Sequence, residues 1–143
     1  MIRKFKLEDL DDFVPQEEQC IGSEWDKRTW IQYYISGVEI YTSYDDKGVI
    51  GFVAFVPDTM GNETICIMLS ERKNDSFRDM FYFNEMVLKK RLAKRIQGFV
   101  KSGWSEGKYF ALHFGFEYEG TLKNFGIDGE DYDVYAITRE RIK

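Results

Sequence analysis

The stretch that most constrains this chain is residues 108–141, KYFALHFGFEYEGTLKNFGIDGEDYDVYAITRER. It reads as a helix, a Gly115-Phe116 corner, a strand, a tight turn at Gly126-Ile127-Asp128-Gly129 and a last strand from Asp131 to Thr138. Gly115 permits a helix exit that a Cβ would obstruct. Phe116 then turns into the core, and Gly120 inside the first strand marks a β-bulge.

The rest of the chain supplies the partners of that hairpin. Ile2 to Phe5 reads as a short strand, followed by a helix from Lys6 with acids in its first turn, stopped at Pro15. A second helix is expected from Ser23, with Trp30, Tyr33 and Tyr34 on one stripe and Gly37 as its stop. Val38 to Tyr44, Val49 to Val56 and Glu63 to Leu69 then alternate or run apolar, with turns at Asp45–Gly48 and Pro57–Asn62. They form an antiparallel meander. Ser76-Phe77-Arg78-Asp79 is a capping box opening a third helix. Arg95 to Lys101 reads as a strand whose Gly98 marks a bulge or a close backbone approach. Trp104 to Phe114 is a fourth helix. A strand–helix–strand crossover after Leu69 requires a parallel neighbour. The expected fold class is α/β (α+β), a mixed, mostly antiparallel central sheet of about seven strands flanked by about four helices.

At 143 residues the chain is expected to be one domain, residues 1–143. Hydrophobic content of 43% and charged content of 31% suit a globular protein. The balance of 20 Lys+Arg against 25 Asp+Glu, net −5, argues against a broad nucleic-acid surface. Cys20 and Cys66 fit no metal-binding spacing, and His113 is the single histidine, so no metal site is expected. No apolar run approaches the roughly 20 residues of a membrane span. The N-terminus lacks a signal-peptide core, and a cytoplasmic location with reduced thiols is expected.

The order of elements, together with Gly115-Phe116, Glu119-Gly120 and the Asp-Tyr-Asp-Val-Tyr strand, resembles the GCN5-related N-acetyltransferase superfamily. The likeness is specific over about 35 residues at the C-terminus and topological elsewhere. The tail pattern looks closest to short acetyltransferase-like proteins encoded by tailed phages. The resemblance implies an acetyl-CoA site in a V between the fourth and fifth strands, with backbone groups of Cys66, Ile67, Met68 and Leu69 facing the pantetheine. It implies a pyrophosphate at the following loop and helix start, where Arg72, Lys73, Ser76 and Phe77 are the candidates. That loop, residues 70–76, has no glycine where the family places several, and Glu71 and Asp75 bring negative charge there.

The resemblance also implies an acid and a base. Where many members carry a tyrosine this chain has Ala111, with Tyr109 the nearest phenol. Glu63 and Glu71 flank the fourth strand as candidate water-relayed bases, or are ordinary surface carboxylates. Other features admit two readings each. His113 is a proton shuttle or a satisfied helix residue. Cys66 is an acyl carrier or inert packing. Trp25, Trp30, Tyr33 and Tyr34 contact an acceptor or form core or a protein interface. The run from Lys89 to Arg95 meets phosphate or ends a helix. Asp128-Gly129-Glu130-Asp131 lacks the further ligands of a calcium loop. Two functions follow: transfer of acetyl from acetyl-CoA to the amine of a small molecule or protein, or a non-catalytic scaffold serving as a phage structural part or meeting a phage or host protein. No membrane partner is expected.

Overall fold

A computed structural model describes residues 1–19, 27–72, 83 and 86–138. The alternating and apolar runs become strands β1 (Ile2–Lys4), β2 (Glu39–Asp45), β3 (Gly48–Pro57), β4 (Glu63–Leu69), β5 (Arg95–Lys101), β6 (Glu117–Leu122) and β7 (Tyr132–Thr138). They form one seven-stranded sheet in the order β1-β2-β3-β4-β5-β7-β6. Every neighbour pair is antiparallel except β4 and β5, which are parallel across the crossover.

The α-helices bounded within the described residues are α1 (Lys27–Ile35) and α2 (Ser105–His113). Gly37, at φ 79°, closes α1: Gly37 N–H and Val38 N–H donate to the Tyr34 and Tyr33 carbonyls. Gly115, at φ 87°, closes α2, and Phe116 N–H returns to the Ala111 carbonyl. The helix expected from Lys6 is instead a single 3-10 turn, Leu7–Leu10. The reason is Asp9. Its carboxylate accepts from Lys6 N–H (2.9 Å), from Arg3 and from the Thr42 hydroxyl of β2 (2.8 Å), which ties the turn to the sheet before an α-helix can propagate. The third helix's start at Ser76 lies outside the described residues. Its far end is seen where Val87 N–H donates to the Phe83 carbonyl and Leu88–Lys90 tighten into a 3-10 turn.

Two apolar layers cover the sheet. Phe5, Leu10, Phe13, Trp30, Phe52 and Met68 fill the α1 face. Phe55, Leu88, Ile96, Phe110, Phe116 and Tyr135 are among those that fill the α2 face. Phe52 and Phe55 are three apart along β3 and so serve opposite faces, as the two-residue strand period requires. Among the described residues no helix is long and apolar enough to cross a membrane.

Candidate functional site

The sheet is complete on both sides of one seam. β4 keeps its ladder to β3 from Glu63 to Leu69, and β5 keeps its ladder to β7 along its whole length. Between β4 and β5 only Glu63–Ile96 and Thr64–Gln97 are paired. From Ile65 onward the two strands part. Gly98 stands where they separate: a Cβ there would lie 3.1 Å from Ile65 Cγ2, closer than an ordinary contact. The opening is walled by Ile65, Ile67, Leu69, Val100, Phe110 and Tyr135, and its free cavity is about 80 Å³. Ligand clefts typically run about 300–1,000 Å³.

A strand edge without a partner strand leaves donors and acceptors unmet. Here the segment from Val14 to Gln19 meets several of them. Gln16 N–H donates to the Leu69 carbonyl (2.9 Å), and Glu71 N–H donates to the Val14 carbonyl (2.8 Å). Deeper in the opening the Gln19 side chain does the same with its primary amide. Its Nε2 donates to the Ile67 carbonyl (2.6 Å), and its Oε1 accepts from Leu69 N–H (2.7 Å). Gln19 thus sits against β4 as one peptide group of an added strand would.

No family model matches the chain, and no curated protein is similar to it in sequence. Solved structures are similar over nearly the full length. An N-acetyltransferase from Staphylococcus aureus superposes with a TM-score of 0.76 at 16% identity, covering 100% of this chain and 98% of its own. A ribosomal-protein-alanine N-acetyltransferase from Brucella melitensis gives 0.73 at 14%, covering 96% and 99%. A spermidine N-acetyltransferase chimera drawn in part from Vibrio cholerae gives 0.73 at 12%, covering 99% and 98%. The fold is that of the GCN5-related N-acetyltransferases.

Within this acetyltransferase fold the candidate residues fall into separate places. Ile67 and Leu69 line the opening with their side chains, whereas Cys66 and Met68 face α1. Burial pushes the Cys66 thiol up, with only partial relief from the Tyr33 hydroxyl 3.6 Å away, so the thiol is kept protonated. Arg72 folds back over the β2–β3 hairpin, 3.3 Å from Asp45 and 3.2 Å from the Val49 carbonyl. Lys73, Ser76 and Phe77, and Trp25 with them, lie outside the described residues. Trp30 is buried core, and Tyr34 is largely exposed beside Phe5.

Glu63 and Glu71 stand at opposite ends of β4. Glu63 is at the closed apex, bound through both oxygens to Arg91 Nε (3.0 Å) and Nη2. Arg91 also reaches Glu39 (2.7 Å) and lies 4.2 Å from the centre of the Phe55 ring. Glu71 is exposed past the open end. Tyr109 is 55% exposed on the face of α2 away from the opening, its ring 5.3 Å from that of His113. The phenol lining the opening is Tyr135 of β7. Much of the basic run is spent internally, Arg91 on Glu63, Lys94 on Asn62 (2.7 Å) and Arg95 on Glu119 (2.5 Å). In the acidic turn Asp128 accepts from Glu130 N–H and pairs with Lys101 (3.2 Å), and Asp131 accepts from Asn124 N–H (2.8 Å). Sequence reasoning missed Gln19 and Tyr135. Gln19, four residues past Pro15, carries no local sign of a partner 48 residues away.

Proposed function

We propose that the chain is an N-acyltransferase that moves an acetyl group from acetyl-CoA to a primary amine. The observation that carries this reading is the parted β4–β5 seam, whose β4 edge already holds an amide. The coenzyme's pantetheine arm bears two secondary amides separated by methylenes. Those amides match the Ile67 carbonyl and the Leu69 N–H, and apolar walls at Ile65 and Val100 suit the methylenes. The residues therefore fit such a donor once the opening is wider. The Ile67 carbonyl and the Leu69 N–H together already hold one amide, that of Gln19.

The thioester supplies an activated acetyl group. The chain's own part is to orient it, keep water out and manage protons. The edge of β4 sets orientation, and Leu69, Val100 and Phe110 exclude water. Burial pushes the Tyr135 phenol above its ordinary range, so it stays protonated and able to donate to a departing thiolate. Glu71, exposed past the open end, takes the amine proton through water; Glu63 holds the apex through Arg91. Lys73, Ser76 and Phe77 meet the pyrophosphate, and Arg72 joins them only by leaving Asp45.

Calorimetry with acetyl-CoA, followed by a thiol-release assay against spermidine, an N-terminal-alanine peptide and simple amines, tests this. Saturable heat and release with at least one amine are expected; no heat at millimolar acetyl-CoA would overturn it. Tyr135→Phe is expected to lower kcat about 100-fold, within the usual span for a lost acid. The competing donor Tyr109 is tested in parallel by Tyr109→Phe.

A second reading, a protein that keeps the fold without the chemistry as a phage structural or host-binding part, is favoured by one observation. The β4 edge and Arg72, both of which the donor would need, are already engaged within the chain, the edge by Gln19 and Arg72 by Asp45. Absence of binding together with retention in a particle or complex would select it.

A further inference from the structure

We infer that residues 14–19 are a built-in strap over the β4 edge, with Gln19 the internal occupant that an incoming amide must displace. The inference rests on the acyltransferase reading only for the identity of the displacing ligand. Its structural basis is independent. β4 runs five residues, 65–69, beyond its last pair with β5 at Thr64. The strap supplies that edge with the Gln19 amide and with an isolated bridge from Pro15 to Ser70, made by Gln16 N–H to the Leu69 carbonyl and Glu71 N–H to the Val14 carbonyl. Pro15 has no N–H to give, but the bridge is made by the Gln16 and Glu71 N–H groups on either side of it, so the proline is tolerated there. Beyond it, among the described residues, the Gln19 side chain meets the edge.

A side-chain amide is an exchangeable partner. It makes the donor and acceptor contacts of a peptide group but is tethered through rotatable bonds, so its displacement costs its two hydrogen bonds and no backbone ladder. Gln19 also lines the cavity and so takes up part of the space between the parted strands. The strapped form and the ligand-bound form are therefore two states, and a ligand binds in proportion to the open fraction.

The test combines amide exchange with affinity for acetyl-CoA in the full chain. Leu69 N–H reports on Gln19, and Ser70 N–H, bonded to the Ile50 carbonyl at 2.8 Å, is the internal control. In Gln19→Ala, Leu69 exchange is expected to quicken at least tenfold relative to Ser70, and acetyl-CoA is expected to bind at least fivefold more tightly. Gln19→Glu keeps an acceptor for Leu69 N–H but loses the donor to Ile67. It should lie between the two and stands in if the alanine variant fails to fold. Unchanged Leu69 exchange overturns the strap. Faster exchange with equal affinities overturns the competition. Faster exchange with no binding by any of the proteins upholds the strap and removes the acyltransferase reading instead.

Discussion

Single side chains decide the N-terminal corner. Asp9 is buried, and it accepts two bonds from Arg3 (2.6 and 2.8 Å) besides those from Lys6 N–H and Thr42. Burial pushes its carboxyl up, but these donors outweigh it and hold the group below its usual range. A carboxyl depressed in the folded state stabilises fully above its unfolded pKa, about 3.9, and that contribution is lost as pH falls through the lower folded value. Asp9→Asn is expected to cost about 2–3 kcal/mol at neutral pH. The gap between the two proteins should close below about pH 4, as urea unfolding at several pH values would read. Gly51 is decided by sterics instead. A Cβ there would lie 2.6 Å from the Met68 carbonyl oxygen, which is backbone and cannot swing aside. Gly51→Ala should therefore cost about 1–3 kcal/mol in the same measurement, and an unaltered midpoint would refute the clash.

Elements are joined at the apex of the seam by one cation. Arg91 follows the 3-10 turn at Leu88–Lys90 and links Glu63, which opens β4, to Glu39, which opens β2. Desolvation pulls its guanidinium down, and the two carboxylates more than restore it, so the charge is fixed. With Arg91 and Glu63 side chains only 13% and 14% exposed, removing one strands the other. Arg91→Met is expected to cost about 2–4 kcal/mol, and Arg91→Met with Glu63→Leu to recover most of it. Additive losses in this double-mutant cycle would show the pair to be uncoupled. The elements themselves were largely legible. β4 falls on the expected residues because its β-branched and apolar run ends at Ser70, and β5 because its apolar positions end at Ser102-Gly103. The pairing partners were not. Arg72 meets Asp45, and Arg91 meets Glu63, through hairpin and crossover registers that no local pattern encodes. The helix expected from Lys6 failed for the same reason, since Asp9's partner Thr42 is 33 residues away.

At the scale of the whole molecule the seam poses a question of cooperativity. β1–β4 and β5–β7–β6 form two ladders that share only two residue pairs. What spans them is the α2-face cluster, with Phe55, Ile65 and Leu69 from one side and Ile96, Phe110, Phe116 and Tyr135 from the other. Apolar packing of this kind is non-directional and does not need the strands to touch. The chain should accordingly unfold as one unit despite the opening. Trp30 reports the first ladder, packed 5.6 Å from Phe52, and Trp104 reports the second from the start of α2. Two single-tryptophan proteins, Trp25→Phe with Trp104→Phe and Trp25→Phe with Trp30→Phe, are each expected to show fluorescence and circular-dichroism midpoints that coincide. Phe110→Ala, which cuts the cluster at α2, should lower both reporters together by about 3–5 kcal/mol. Loss of the Trp104 signal before the Trp30 signal would mean that the ladders separate at the seam. Ligand entry would then proceed by parting them and not by release of the strap alone.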